Sequence, residues 1–170
     1  MKTLIVAHPD DEIIWFDAQM FDKIVIVFLA DENGKLKEER KKALLDHPLR
    51  DRIVCLGIKE TENAGDLFSL LPEHIDEATE IWTHNPWGEY GHIQHKLVYQ
   101  VVKEITDKPI YCNMIDKNEA GEEYYNRKSF EIKFDNDFFE KVKKIYVKNK
   151  CWTGFKKYDL PIMRKYFKVN

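Results

Sequence analysis

A short segment near the start of the chain concentrates groups that bind metals or move protons. AHPDDE, residues 7–12, follows the apolar run at 4–6 and contains His8, Asp10, Asp11 and Glu12. Carboxylates gathered at the end of a buried strand repel one another unless a cation or a proton shares the site. The segment therefore predicts a cation site or a plain helix start, in which the proline sets the turn and the acidic groups face the positive end of the helix dipole.

A second segment, THNPWGEYGHIQH at residues 83–95, supplies imidazoles. It holds His84, His92 and His95, which are half of the six histidines in the chain. The three-residue spacing of His92 and His95 directs both side chains from one face of a helix. Imidazoles combined with carboxylates suit Zn²⁺, Fe²⁺ or another divalent first-row metal, whereas Ca²⁺ and Mg²⁺ prefer oxygen ligands. Three protein ligands with one position left for water would be typical of a catalytic site.

The elements around these two segments alternate between strands and helices. Mostly apolar, β-branched runs predict strands at 3–7, 23–30, 52–56, 80–83, 109–113 and 130–134, the last at a sheet edge. Helical patterns lie at 11–20, 36–46, 92–106 and 135–147. This alternation predicts an α/β fold: a single-domain, Rossmann-like arrangement over 1–170, with a mostly parallel sheet and helices on both faces. Because the carboxyl ends of parallel strands share one edge, we expect the two segments to face each other.

Composition and charge exclude several classes of function. With 30 acidic and 27 basic side chains, the formal net charge is -3, which gives no electrostatic reason to expect nucleic acid as a partner. The longest apolar run, at 24–30, is too short to cross a bilayer, and charged residues interrupt the N-terminus before any signal-peptide core. Three widely spaced cysteines favour reduced thiols. We therefore expect a cytoplasmic protein that is not an integral membrane protein.

AHPDDE followed by GHxxH, which is GHIQH in this chain, resembles the motifs of the PIG-L/LmbE-like family of zinc-dependent de-N-acetylases. Members of that family remove acetyl groups from N-acetylglucosaminyl conjugates, including lipid, thiol-precursor and antibiotic or polysaccharide intermediates. The resemblance implies a zinc site formed by His8, Asp11 and His95. It also implies that Asp10 is the general base and that His92 faces the developing oxyanion or acts as an acid.

These roles are chemically consistent with the hydrolysis of an amide. Metal binding can bring the pKa of water from 15.7 to about 7, and Asp10, one residue from a ligand, can accept the proton of that water. A protonated His92 would help to stabilise the oxyanion, and either His92 or protonated Asp10 could protonate the departing nitrogen. Many family members carry an aspartate between the paired histidines, where this chain has Gln94. A neutral amide would raise the pKa of His92 less than a carboxylate does.

The residues that would recognise a substrate carry weaker signals. Trp87 and Tyr90 could stack on a sugar ring, or they could anchor the loop by packing on the protein. Arg40 could bind an anionic group, or it could lie on an exposed helix face. Basic and aromatic residues at 147–161 would suit a phosphorylated or nucleotide-linked sugar, or they could form a basic surface over a packed core.

Other polar residues are predicted to support the site. Glu12 and Gln94 are assigned to the shell that orients the ligands and the acid. His84, at a strand end, would either join that shell or be a buried histidine without a role. His47 and His74 are assigned to loops without function.

The sequence thus predicts a metal-dependent hydrolase. It would remove an N-acetyl or other acyl group from an N-acetylglucosamine-type or related amino-sugar conjugate, a small molecule that is free or linked to a nucleotide or a lipid. The alternatives are a metal hydrolase of another amide or ester, and a catalytically degenerate sugar-binding domain of the same fold. Serine hydrolase, P-loop and dinucleotide-binding classes are excluded by the lack of GxSxG, Walker A and GxGxxG motifs.

Overall fold

The computed structural model describes residues 1–31, 33–60, 64–115, 124, 127–154 and 163–170. The strands are β1 Lys2–Val6, β2 Lys23–Ala30, β3 Ile53–Lys59, β4 Glu80–Thr83, β5 Ile110–Asn113, β6 Ser129–Lys133 and β7 Met163–Lys168. The helices are α1 Asp11–Ile14, α2 Lys37–Asp46, α3 Gly65–Leu70, α4 Pro72–Ile75, α5 Gly88–Gly91, α6 Ile93–Ile105 and α7 Asn136–Lys148. Short 3₁₀ turns lie at Ala18–Met20 and Arg50–Arg52.

A seven-stranded sheet organises these elements in the order β3-β2-β1-β4-β5-β7-β6. The strands from β3 to β5 run parallel, and β7 and β6 add antiparallel pairs on one side. The predicted α/β fold with a mostly parallel sheet is therefore confirmed, and the strand expected near 130–134 does lie at an edge. The sequence does not predict β7, because Arg164, Lys165 and Lys168 interrupt its apolar pattern.

Helices cover both faces of the sheet, as predicted. Because neighbouring residues of a strand point to opposite faces, β1 contributes Ile5 to one apolar cluster and Leu4 to another. Val98 of α6 packs in the first cluster, and Val142 of α7 packs in the second. None of the helices in the described part of the chain has the length and apolar content that a bilayer span requires.

The helix predicted over 11–20 is too long, because α1 ends at Ile14. Arg164 and Tyr166 of β7 reach under this helix and donate hydrogen bonds to the carbonyl oxygens of residues 13–15. Carbonyl groups at a helix end need partners from outside the helix, and the sheet provides them at this point. The C-terminal strand therefore determines where the first site-bearing helix stops.

The pairing of β1 with β4 brings the two chemically unusual segments to one edge of the sheet. The segment at 7–12 leaves β1 and enters α1, and the segment at 83–95 leaves β4 and enters α6 through α5. Gly88 has φ 70, and a Cβ atom at this position would lie 2.9 Å from Cγ of Lys96. A glycine is therefore needed where the second segment folds back against α6.

Candidate metal centre

The structure brings Asp11 into contact with His8 and with His95 at the carboxyl ends of β1 and β4. Asp11 Oδ2 lies 3.4 Å from His8 Nδ1 and 3.5 Å from His95 Nε2. All three side chains are buried. These are the residues that the family resemblance implies as metal ligands, and the fold places them where the parallel sheet predicts a ligand site.

Hydrogen bonds hold the Asp11 carboxylate in place from behind. Its Oδ1 accepts the indole N–H of Trp15 at 2.7 Å, and its Oδ2 accepts the backbone N–H of His8 at 2.7 Å. A carboxylate oxygen has two lone pairs, so Oδ2 retains one for a cation. Although burial raises the pKa of Asp11, the neighbouring histidines, His95 above all, hold it well below the usual range.

Ligand atoms gather in two overlapping groups within 4.8 Å, one of His8, His92 and His95, and one of Asp11, His84 and His95. His84 differs from the others because its Nε2 accepts the backbone N–H of Ala7 at 2.9 Å. An imidazole nitrogen has one lone pair, so this bond leaves none for a metal. His84 therefore supports the centre, stacked on the His95 ring at 3.8 Å.

Glu89 is the main residue of the site that the sequence analysis missed. Its fully buried carboxylate lies 2.6 Å from His95 Nδ1 and 3.2 Å from His84 Nδ1. Backbone and side-chain N–H groups of Asn85 and Asn113 donate to its other oxygen. A carboxylate on the far nitrogen of a histidine fixes the ring and its tautomer, leaving Nε2 available for an ion. The signal that could have found Glu89 is its place in the second segment, three residues before His92.

The charges in this corner are strongly coupled. Burial raises the pKa of Glu89, but the neighbouring imidazoles of His84 and His95 outweigh burial and lower the value to about 2. Against its own burial, His84 has its pKa raised to about 9 by Glu89 and Asp11, although a second proton would displace the Ala7 hydrogen bond. Burial and the His84 charge lower the pKa of His95, which favours the neutral form that binds metals.

His8 also has a carboxylate partner. Its Nε2 lies 3.0 Å from Glu60 Oε1, without the alignment of a hydrogen bond. Arg40 Nη1 lies 3.6 Å from the same oxygen and donates to the carbonyl of Leu29. Arg40 is only 3% exposed, so the interpretation of this residue as part of an exposed helix face is wrong. Its predicted role in binding an anionic group stays a prediction.

Asp10 precedes the candidate ligand Asp11 in the chain, and only one of its two carboxyl oxygens is hydrogen-bonded by the described residues; we call the other, Oδ1, the open oxygen. Thr153 donates its backbone N–H and its hydroxyl to Asp10 Oδ2, each at 2.8 Å. The other oxygen, Oδ1, is buried and has no hydrogen-bond partner among the described residues. Burial, followed by the nearby Asp11 charge, raises the pKa of Asp10 well above its usual range. Asp10 is thus a buried carboxyl group, adjacent in the chain to the candidate ligand Asp11, with one oxygen that no described residue hydrogen-bonds.

His92 is the N-cap residue of α6, and its ring stacks on that of His95 at 4.4 Å. Burial, followed by the charges of His95 and His8, lowers the pKa of His92 to about 3. This lowered pKa favours the neutral ring over the protonated His92 expected from the sequence, and the acid role of His92 stays a prediction. The buried Nδ1 of His92 has no hydrogen-bond partner among the described residues, so no hydrogen bond from Gln94 reaches this atom, and the orienting role of Gln94 stays a prediction.

Glu12 is fully buried in the first turn of α1 and connects the site to the core. It accepts the Asp10 backbone N–H at 2.9 Å and the Tyr146 hydroxyl at 2.8 Å. His47, to which the sequence analysis gave no function, is also buried, with Nε2 3.4 Å from Glu12. Nothing in their spacing along the chain predicts that residues 12, 47 and 146 meet.

The two aromatic candidates for substrate binding lie in different surroundings. Trp87 is 7% exposed, stacks on Phe167 and donates its indole N–H to the carbonyl of Ile115. This packing matches the loop-anchor alternative, so Trp87 does not offer a surface for a sugar. Tyr90 is 39% exposed and contacts the rings of His92 and His95 at the rim of the centre. Of the stretch at 147–161, residues 155–161 lie outside the described part.

Comparisons with known proteins bear on the fold. No protein-family model matches the chain. The chain is 25% identical, over 185 aligned positions, to Uncharacterized protein L374 of Acanthamoeba polyphaga mimivirus, covering 87% of this chain and 80% of that relative. The structure of the present chain is similar to that of the antimicrobial reagent A40926 pseudoaglycone deacetylase Dbv21, with a TM-score of 0.66 and 13% sequence identity. The similarity covers 99% of this chain and 96% of that one. The structure is also similar to that of a deacetylase of the teicoplanin biosynthesis pathway in complex with teicoplanin, with a TM-score of 0.63 and 13% identity over 99% and 97% of the two chains. At this identity, the likenesses establish a shared fold.

Proposed function

We propose that the protein is a metal-dependent hydrolase that removes an N-acetyl group from an amino-sugar conjugate. The observation that carries the proposal is the contact of Asp11 with His8 and His95, at 3.4 and 3.5 Å, beside the open oxygen of Asp10. The motif resemblance favours an amino-sugar substrate. The shared fold with deacetylases that act in the A40926 and teicoplanin systems is consistent with the same class.

The residues of the centre fit a divalent first-row metal. Two imidazoles and one carboxylate form a donor set that is typical of catalytic zinc, and Fe²⁺ or another divalent first-row ion would fit the same donors. Each candidate histidine also has a carboxylate at its other nitrogen, Glu60 for His8 and Glu89 for His95. Such an ion supplies an acidified water and polarises the carbonyl of the substrate.

Asp10 is the group that moves protons in this proposal. Its open Oδ1 accepts a proton from the water whose oxygen forms the new bond to the acetyl carbon. As the carbon–nitrogen bond breaks, the same carboxyl group donates that proton to the departing nitrogen, and the products are a free amine and acetic acid, which then loses its proton to solvent. Since the pKa of His92 is lowered to about 3, we assign both proton transfers to Asp10, whose raised pKa favours keeping the proton until the nitrogen departs. Neutral His92 can donate an N–H to the developing oxyanion.

The substrate would be a small amino-sugar conjugate, free or linked to a nucleotide or a lipid. Tyr90, exposed beside His92, offers an aromatic face on which a sugar ring can stack. Arg40 is as buried as Trp87, and its Nη1 lies beside Glu60 and donates to the carbonyl of Leu29, so its part in this proposal is to hold Glu60 behind His8. Trp87 is left out of this proposal because it packs in the core.

Release of free amine from a panel of N-acetylhexosamine conjugates, by zinc-loaded protein, tests the proposed function. Asp10→Asn should lower kcat by roughly 10²- to 10⁴-fold with the zinc content unchanged, because it removes the base and no ligand. His95→Ala should lose the zinc itself. Asp51→Asn, on the exposed surface, is the matched control and should behave as wild type. A protein that retains zinc and releases no amine from any conjugate would contradict the proposed activity.

A further inference from the structure

Thr153 and Asp10 are joined by two hydrogen bonds across 143 positions of the chain. Both donors of Thr153, the backbone N–H and the hydroxyl, reach the same oxygen, Asp10 Oδ2, at 2.8 Å. Thr153 is exposed, whereas Asp10 is fully buried. The pair therefore joins an exposed residue to a fully buried one.

The backbone of Asp10 is held separately from its side chain. Its N–H is bonded to Glu12, and its carbonyl accepts the N–H groups of Ile13 and Ile14 at the start of α1. Asp10 has φ 94, a left-handed conformation that costs a non-glycine residue free energy and persists only where the surroundings enforce it. With the backbone fixed by α1, the remaining freedom of Asp10 lies in the torsions of its side chain.

Two donors on Oδ2 restrict that freedom and decide which oxygen stays open. Oδ1 is buried and has no partner among the described residues, although a buried carboxylate oxygen is normally hydrogen-bonded. We infer that Thr153 is a positioning residue, which holds the Asp10 carboxylate so that Oδ1 is presented to the attacking water. This inference rests on the proposed function.

The segment that carries Thr153 is itself anchored beside α1. The Cys151 N–H donates to the carbonyl of Tyr146 at the end of α7, and the Tyr146 hydroxyl donates to Glu12 of α1. The ring of Trp152 packs against Phe139 of α7. The position of Thr153 is therefore fixed relative to Asp10 by α7, and the hydroxyl group of Thr153 is the part that a single substitution can remove.

Thr153→Val removes the hydroxyl donor, keeps the shape of the side chain and leaves the backbone donor in place. We expect kcat for amine release to fall about 10- to 100-fold, the range for losing a hydrogen bond to a charged group, with KM changed less than about threefold. Zinc content and the thermal midpoint should equal those of wild type. Thr153→Ser restores the hydroxyl and should return kcat to within about threefold of wild type.

Thr3→Val is the matched control, because Thr3 is fully buried and its hydroxyl has no hydrogen-bond partner among the described residues. It should leave kcat unchanged. Wild-type kcat in Thr153→Val, or a loss that Thr153→Ser does not recover, would overturn the inference. So would a loss of activity that appears only together with a lower thermal midpoint, since that is the result expected for a structural tether.

Crystal structures of the variants provide a readout that does not depend on activity. The Asp10 carboxylate should keep one orientation in wild type and Thr153→Ser, and it should rotate or occupy two orientations in Thr153→Val. A single unchanged orientation in Thr153→Val would overturn the positioning role even if the substrate panel shows no activity. A rotated carboxylate in a protein without deacetylase activity would contradict the proposed function and support the positioning of Asp10.

Discussion

The two candidate histidine ligands, His8 and His95, have carboxylate partners in different surroundings. Behind His95, the fully buried Glu89 lies 2.6 Å from Nδ1 and is also hydrogen-bonded to other groups of the second segment and to β5. Behind His8, Glu60 follows the edge strand β3, its side chain is 15% exposed, and its 3.0 Å contact lacks hydrogen-bond alignment. The two halves of the candidate centre are therefore supported unequally.

This difference indicates which of the two carboxylates contributes more to the stability of the folded protein. A buried, fully hydrogen-bonded polar network is stabilising when it is complete and costly when one member is removed. A partly exposed carboxylate loses less when its partner is lost, because water can replace the contact. We therefore expect changes at Glu89 to alter folding and metal affinity together, and changes at Glu60 to alter mainly metal affinity.

Glu89→Gln is expected to have the largest effect. It removes the charge of a buried carboxylate that pairs with His84 and His95, so the free energy of unfolding should fall by about 3 kcal/mol. Zinc affinity should fall about 10- to 100-fold, because His95 loses the group that orients it. Urea denaturation of the metal-free protein and competition with a chelator measure the two effects.

Glu60→Gln provides the other arm of the comparison. We expect a change of about 1 kcal/mol or less in the free energy of unfolding and a loss of zinc affinity of about tenfold. Glu131→Gln, in an exposed pair with Lys165, is the control and should change the free energy of unfolding by less than about 0.5 kcal/mol. Equal losses of unfolding free energy at Glu89 and Glu60 would contradict the unequal support.

The contributions of Glu89 and Glu60 to the free energy of unfolding should also differ at low pH. The pKa of Glu89 is lowered to about 2, against an ordinary value of 4.5 in the unfolded chain. A depressed native pKa contributes stability that is fully present above pH 4.5 and is lost as the pH falls towards about 2. Urea denaturation between about pH 3 and 6 should therefore show a shallower decline for Glu89→Gln than for wild type.

Glu60→Gln should keep most of the wild-type decline. Burial raises the pKa of Glu60, while His8 and Arg40 outweigh burial and lower it, but the group remains partly exposed and its contribution is screened. Parallel curves for wild type and Glu89→Gln would show that protonation of Glu89 does not drive the loss of stability in acid.

Residues close together in sequence account for what could be predicted. The strand pattern and the polar segments at 7–12 and 83–95 placed His8, Asp11 and His95 at one sheet edge, because parallel strands share the edge at which they end. Glu89 lies within the second segment, but the turn pattern around it in the sequence gives no sign that its side chain is buried.

Residues that arrive from distant parts of the chain could not be predicted. Glu60, His47 and Thr153 reach the site through tertiary packing, and no local periodicity records which strand end or helix end will lie beside another. The predicted length of α1 was wrong for the same reason, since Arg164 of β7 donates hydrogen bonds to the carbonyl groups at the end of this helix. Burial of Arg40 also depends on the position of α2 against β2, which helical propensity does not report.

His92 extends the comparison, because no carboxylate of the described residues bonds its Nδ1. Gln94→Asp would place a negative charge two residues from His92 in the first turn of α6, which should raise the pKa of His92 from about 3. The free energy of unfolding should change by less than about 0.5 kcal/mol at this partly exposed position. An NMR titration of the His92 ring measures the shift, and Gln100→Asp, on the exposed face of α6, is the control. If His92 titrates identically in wild type and Gln94→Asp, the charge at position 94 does not reach the ring, and burial among the other histidines alone keeps His92 neutral.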